Sequence, residues 1–272
     1  MTQTGHHAEP GPVAQPRVDS SVAHNARVWN HWLGGKDNFD ADRRVGDHVR
    51  QMFPVIGEVA RADRRFLARA IGFLAGDAGV RQFLDVGTGL PTADNTHDLA
   101  QAIAPESRIV YVDNDPMVLV HARALLTSRP EGVTRYVEAD VHQPETILAA
   151  AAETLDLDRP VAVMMLGILN FVLDTDEAYA IVRRLMDAAP SGSYLAVTHP
   201  TLELDGEANM AAMEFWNAHA APPIRARTGA EIAGFLTGLE LVEPGLVSCS
   251  RWRPTNPDAP SVPQYGAVAR KP

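Results

Sequence analysis

The sequence predicts an α/β fold, a mainly parallel sheet with helices on both faces behind an N-terminal helical cap. Three observations carry this expectation. From Gln82 onward, short apolar runs alternate with stretches of helical spacing, the pattern of βαβ units. The run Val161–Leu169 is almost wholly apolar, as a strand buried on both faces must be. The last two runs, Leu239–Val247 and Gln264–Ala269, have only a Pro-rich loop between them. They must pair antiparallel, because a parallel crossover needs about a dozen residues or more, usually with a helix.

Residues 1–20 are rich in Pro, Gly, Gln and polar side chains, with no hydrophobic segment like that of a signal peptide, and read as a disordered tail. A helical cap is expected over residues 21–80. Ser20 or Ser21 is placed to cap a first helix through Val22, Ala23, Val28 and Trp32. Gly34-Gly35 breaks it, and Asp37-Asn38 favours a turn. Helical patterning resumes through Val45, Val49 and Met52, then after Pro54 through Val59, Phe66, Leu67, Ala70, Ile71 and Leu74. No strand pattern precedes Gln82.

The remaining stretch, residues 81–272, is expected to hold the sheet. Parallel strands are expected at Phe83–Val86, Ile109–Val112, Thr134–Ala139, Val161–Leu169 and Tyr194–Val197. Helices are expected near Asn95–Ile103, Pro116–Leu126, Pro144–Ala152 and Asp176–Ala188. Asp115 before Pro116 suits a helix start, with Asp as cap and Pro in the first turn. Thr228 with Glu231 gives a capping box for a helix through Ile232, Phe235 and Leu236. With the closing hairpin this makes a seven-stranded sheet. One piece, residues 200–227, is left over as an insertion. Its middle, Asn209 to Asn217, has helical spacing and includes Trp216. It lies just past the fifth strand, where ligands bind in open α/β sheets. It is either a packing helix or a lid over a substrate.

Bulk properties narrow the function. The net charge is −10 and no Lys/Arg run stands out. That argues against a long nucleic acid, whose binding rests on a basic face, and favours a small-molecule substrate. No apolar run approaches the roughly 20 residues needed to span a bilayer, so no membrane segment is expected. Cys249 is the single cysteine, which excludes an internal disulfide and a cysteine-rich zinc site. No group of His and carboxylates shows metal spacing, so no metal is expected, and a cytoplasmic location fits. The oligomeric state is left open.

The chemistry concentrates at strand ends. Asp85-Val86-Gly87-Thr88-Gly89 closes the first strand. Its glycines allow a tight strand-to-helix turn and close approach of backbone to a ligand. The third small residue that a dinucleotide pyrophosphate requires is replaced by Thr92 after Pro91. Asp85 would bring negative charge close to such a pyrophosphate. It suits a positive group instead, such as the ammonium of S-adenosylmethionine. At the second strand end, Asp113 is placed to accept from both ribose hydroxyls, with Asn114 beside it. At the third, Asp140 can accept from an adenine amino group while Val141 lies against the ring; a helix cap or turn is the other role open to Asp140. At the fourth, Asn170 either orients the methyl group and its acceptor or simply terminates the strand.

Around these, Gly34 to Phe39 offers two glycines, a cation, an acid and an amide in one turn. It is either a loop whose polar side chains bond its own backbone, or a flap with Lys36 near a methionine carboxylate and Asp37 or Asn38 near the ammonium. Arg27 is the other candidate for the carboxylate. His199, after the fifth strand, is a candidate general base by its ordinary pKa, or a structural histidine. His97 is expected to pack or cap. The leading reading is methyl transfer from S-adenosylmethionine to an O or N atom of a small molecule. The competing readings are a non-catalytic sensor that binds the same cofactor and, further off, an NAD-dependent oxidoreductase.

The sequence also resembles the actinobacterial S-adenosyl methyltransferase family, formerly catalogued as a domain of unknown function. The strings that carry the resemblance are Leu33-Gly34-Gly35-Lys36-Asp37-Asn38-Phe39, Gln82 to Thr92, Asn95-Thr96-His97, Val110 to Pro116, Val242 to Leu246, and Arg251-Trp252-Arg253-Pro254. The resemblance covers nearly the whole chain after the tail and implies a Rossmann-like fold that binds S-adenosylmethionine. Where family members often show Arg-x-Tyr-Asp-Tyr before the double glycine, this chain has Arg27-Val28-Trp29-Asn30-His31. Where many have His after the fourth strand, it has Asn170.

Overall fold

In a computed structural model, residues 19–92, 94–125 and 127–272 are described. Most of the expected tail, and Leu126 at the end of an expected helix, lie outside them. The chain begins with β1 (Ala23–His24), α1 (Asn25–Trp32), α2 (Asp40–Met52) and α3 (Ile56–Ile71), which runs on into a π-helical turn at Gly72–Asp77. Then come β2 (Gln82–Val86), α4 (Thr96–Ile103), β3 (Arg108–Asp113), α5 (Pro116–Leu125), β4 (Val133–Glu138), α6 (Pro144–Ala151) and β5 (Ala162–Leu166). The last part holds α7 (Thr175–Ala188), β6 (Tyr194–Pro200), α8 (Gly206–His219), β7 (Ala220–Ala221), α9 (Gly229–Gly234), β8 (Glu240–Leu241), β9 (Val247–Ser248) and β10 (Gln264–Arg270).

The main sheet has the order β4-β3-β2-β5-β6-β10-β8, with β9 paired to β10 off that path. Strands β2 to β6 pair parallel, and β10 lies antiparallel between β6 and β8. The order reverses between β3 and β5, on either side of β2. That is the switch point at which open α/β sheets bind ligands.

The pleat sorts side chains to two cores. Phe83, Ile109, Tyr111, Met164, Ala196 and Val268 face α3 and the cap, where Phe66, Ile71, Leu74 and Trp252 pack against them. Leu84, Val110, Val163, Leu195 and Ala267 face the other way, onto Ile147 of α6, Ile181 and Leu185 of α7 and Ile232 of α9. This two-sided burial is why the strands read as continuous apolar runs rather than alternating ones.

Several expectations shift in register. The first helix starts at Asn25, and neither Ser20 nor Ser21 caps it; the Ser21 hydroxyl bonds Asp19 instead. Ala23 and His24 are drawn into a short parallel pair with Ala220 and Ala221, so a strand does precede Gln82. The fourth expected strand stops at Leu166, because Gly167 turns the chain at φ 62° and Leu169–Phe171 forms a 3-10 turn. The fifth runs on to Pro200, where it pairs Gln264 of β10. The penultimate run splits into β8 and β9 around Pro244, which has no N–H to give a ladder, and Gly245 at φ 86°. Asp115 accepts from the Met117 N–H at 2.8 Å, capping α5, and Thr228 with Glu231 forms the expected capping box.

The cap is fastened by a buried ion pair. Asp42, fully buried in α2, accepts from Arg27 Nε at 2.9 Å, from the His24 N–H at 2.9 Å and from the Phe39 N–H at 2.8 Å. Arg27 spends a second nitrogen on the Asp19 and Val22 carbonyls. Removing one partner of such a pair leaves the other charge buried alone, at about 3–5 kcal/mol. Asp42→Ala is therefore expected to destabilise the protein by about that amount in urea unfolding. A loss below about 1 kcal/mol, the range of an exposed pair, would show that the pair does not anchor the cap.

Candidate functional site

The carboxyl ends of the parallel strands and the facing sides of α1, α3 and α8 enclose a cavity of about 290 Å³. Asp85, Gly87, Thr88, Gly89, Asp113, Asn114, Asp140 and Val141 all lie on its wall, as do Asn170 and Trp216. The strand-end residues singled out in the sequence are thus brought to one place.

The glycine turn is shaped by its neighbours. Gly87 sits at φ 77°, and a Cβ there would stand 2.5 Å from the Ile168 side chain, so no other residue fits. Its N–H donates to the Val112 carbonyl at 2.8 Å. Gly89, at φ 65°, has open space where a Cβ would point. Asp113 locks this turn to the next strand: its carboxylate accepts from the Gly89 N–H at 2.9 Å and from the Asp115 N–H at 2.9 Å. Burial raises the Asp113 pKa, partly offset by these two N–H donors. Asn114 Nδ2 donates to Asp140 Oδ2 at 2.8 Å, and the His142 N–H donates to Asp140 Oδ1 at 2.9 Å. The second and third strand ends are thereby joined.

Asp85 is buried at the head of the cavity and accepts from the Thr96 hydroxyl at 2.6 Å. Burial pushes its pKa from 3.8 to about 6; the Thr96 hydrogen bond and the charge of Arg64 oppose the shift, and the charge of Asp113 adds to it. Two polar atoms on the wall, Asn25 Oδ1 and Asn170 Oδ1, are buried without a hydrogen-bond partner among the described residues. Atoms so placed are ordinarily satisfied by a bound molecule or an ordered water.

Other candidates are overturned as cavity residues. Arg27, Lys36, Asp37, Asn38 and His199 do not line the cavity. Arg27 is held by Asp42 and stacks over the Phe39 ring, which leaves it no role at a ligand carboxylate. Residues 34–39 fold onto Asn30 instead of forming a flap. Asn30 Oδ1 accepts from the Asp37 N–H at 3.1 Å and from Asn38 Nδ2 at 3.0 Å. A Cβ on Gly35 would collide with the Asn30 amide, which explains the second glycine. Lys36 and Asp37 are exposed.

His199 cannot serve as a base toward the cavity. It is fully buried; Nδ1 faces the Pro200 carbonyl at 2.8 Å and Nε2 faces Arg227 Nη1 at 2.9 Å. Since Arg227 can only donate, His199 is neutral with its proton on Nδ1. Burial drives its pKa down to about 3. Arg227 goes on to bind the Leu169 and Val172 carbonyls at 2.9 and 2.7 Å, fastening the turn that carries Asn170. His97 packs as expected, against the Tyr111 hydroxyl at 2.9 Å. Trp216 both packs and lines: its ring lies 6.4 Å from that of Trp32, its Nε1 donates to the Pro222 carbonyl at 2.8 Å, and it lines the cavity.

The structure adds residues that the sequence reading missed. Trp29, Asn30, Asp63, Arg64 and Gln264 all reach the cavity. Asp63 had a signal: it is a charged residue between Val59 and Phe66-Leu67 on the buried face of α3. Gln264 had none, since it is an ordinary first residue of a strand.

A parallel sheet closed by an antiparallel strand in this order, with acids at three successive strand ends around a glycine turn, defines a Rossmann-like methyltransferase. The family model described as S-adenosyl methyltransferase matches residues 12–272, and the chain belongs to that family and uses S-adenosylmethionine. Among solved structures, a DUF574-family protein from Streptomyces avermitilis is similar at 47% identity and TM-score 0.89, over 94% of this chain and 100% of its own. A protein from Thermobifida fusca is similar at 39% identity and TM-score 0.84, over 93% of this chain and 96% of its own. A mitomycin 7-O-methyltransferase, at 15% identity and TM-score 0.51 over 90% of this chain and 68% of its own, shares the fold alone. Among curated proteins no relative matches. No helix among the described residues is long and apolar enough to cross a membrane.

The raised Asp85 pKa has a testable sign. Between about pH 4 and pH 6 the native state holds a proton that the unfolded chain has released, so this group's contribution to stability falls as pH rises through that window. Relative to Asp85→Asn, the ligand-free wild type is expected to lose up to about 3 kcal/mol between pH 4 and pH 7. Urea unfolding of both proteins across that range measures it, and a difference independent of pH would refute it.

Proposed function

We propose that the protein transfers the methyl group of S-adenosylmethionine to an oxygen or nitrogen atom of a small, largely apolar molecule in the cytoplasm. The observation that carries this reading is the continuity of the cavity. The glycine turn, Gly167 and Asn170 line it together with Trp29, Phe53, Leu67, Met213 and Trp216. Such a wall suits a flat apolar body and offers no basic track for a polymer, in keeping with a net charge of −10.

In this reading the residues divide the cofactor between them. Asp85 takes the ammonium of the methionine portion, Asp113 the ribose hydroxyls, and Asp140 the adenine amino group, with Val141 against the ring. The carboxylates of Asp113 and Asp140 keep lone pairs free after their backbone contacts. Asn170, held on its 3-10 turn by Arg227, lies beside the point where donor and acceptor meet. When bound, the cofactor supplies an already activated methyl group on a sulfonium. What the chain adds is alignment of the acceptor for in-line attack and exclusion of water by α1, α3 and α8.

Two measurements test this. S-adenosylhomocysteine is expected to bind the wild type, and Asp113→Ala to weaken it about 10- to 100-fold, the loss of one or more hydrogen bonds to a charged acceptor. Unchanged affinity in titration calorimetry would remove Asp113 from the ribose site. Incubation of the protein with methyl-labelled cofactor and a small-molecule extract of a producing cell should move label into extractable products. Label that enters only macromolecules would overturn the small-molecule reading.

A further inference from the structure

Asp63 is the unexplained group in the cavity. It sits on α3, 6% exposed, and lines the cavity. Its Oδ1 accepts from Gln264 Nε2 at 2.7 Å, the same nitrogen donates to the Thr198 hydroxyl at 3.2 Å, and Thr198 is hydrogen-bonded to Asp63 in turn. No ion pair compensates it among the described residues. Arg64, its chain neighbour, attracts it through charge at longer range. A carboxylate buried against two neutral partners costs stability, and an amide or an apolar side chain would fill this helix face at lower cost.

Its position gives the cost a purpose. Gln264 Nε2 lies 3.9 Å from where a Cβ on Gly167 would stand, and the Gly167 N–H is itself bonded to the Thr198 carbonyl at 3.1 Å. The Asp63 carboxylate is therefore tied through Gln264 and Thr198 to the turn after β5 that leads to Asn170, and it lines the same cavity as that turn. Neither His199 nor any other histidine competes for the role: among the described residues, His142 is the cavity-lining histidine, and it belongs to the third strand end.

We propose that Asp63 is the general base of methyl transfer, and that the acceptor is a flat apolar molecule that presents a hydroxyl or an amine N–H to it. This rests on the methyl-transfer reading above. As the bond between the acceptor's oxygen or nitrogen and the methyl carbon forms, the carbon–sulfur bond breaks and sulfur keeps the electron pair. The acceptor's proton passes to the Asp63 carboxylate and leaves to water with the product. Burial already raises the proton affinity of this carboxylate, which favours it as a base. Gln264 and Thr198 are positioning residues that hold the carboxylate toward the acceptor.

The test uses sinefungin, a cofactor analogue with an ammonium where the sulfonium methyl stands, and S-adenosylhomocysteine, which has neither. A carboxylate at the acceptor position attracts that ammonium, so the wild type is expected to bind sinefungin about tenfold or more tightly than S-adenosylhomocysteine. Asp63→Asn is expected to bring the two affinities within about threefold of each other while S-adenosylhomocysteine binds as before. A wild type without the preference, or a preference that survives in Asp63→Asn, overturns the proposal. If the variant no longer binds S-adenosylhomocysteine because its fold is lost, Asp63→Leu is measured in its place, and a preference that survives there overturns the proposal. Failure of both ligands to bind the wild type would instead sink the cofactor reading on which the proposal stands.

Discussion

The site depends on one carboxylate that faces backbone. Asp113 accepts the N–H of Gly89 from one loop and of Asp115 from another. In doing so it holds the glycine turn after β2 against the tip of β3. Without that contact the turn would have to keep its left-handed glycines in place by sterics alone, with only the Val112 carbonyl to hold Gly87 and Thr88. Because α5 starts at the same point, its entry angle and the position of the turn are set together. The same device recurs one strand over, where Asn114 and the His142 N–H converge on Asp140. Carboxylates at strand ends therefore build the floor of the cavity before they meet any ligand.

Building a floor from acids has an electrostatic cost. Asp85, Asp113 and Asp63 are all buried near the cavity, and burial raises the pKa of each. None of the three is matched by an ion pair among the described residues. A ligand that brings a positive group is thereby favoured, by attraction to these carboxylates and by offsetting the repulsion between Asp85 and Asp113. That property suits a sulfonium donor with an ammonium at its other end.

Most of the fold and the strand-end part of the cavity were legible in the sequence, for a local reason. A strand and the acid at its tip occupy consecutive residues, and the apolar runs from Phe83 to Tyr194 announce themselves without knowledge of their partners. The cap was not legible in the same way. Arg27, Lys36, Asn38 and His199 have side chains suited to a ligand, but whether each one faces a cavity depends on what it meets in the fold. Arg27 meets Asp42, 15 residues away, and His199 meets Arg227, 28 residues away. Asp63 shows the converse. Its charge on an apolar helix face was visible, but its partner Gln264 lies 201 residues further on, and only the closing of the sheet brings them together.

The two-residue pair of β1 with β7 has a further consequence. It joins the start of the cap to the end of α8, and the stacking of His48 on Phe215 at 4.1 Å and the approach of Trp32 to Trp216 join them again along their length. Two walls of the cavity that are remote in the chain are thus stitched into a single shutter. Displacing one of these walls alone would break the strand pair and both ring contacts, so the cap and α8 hold each other in place around the cavity.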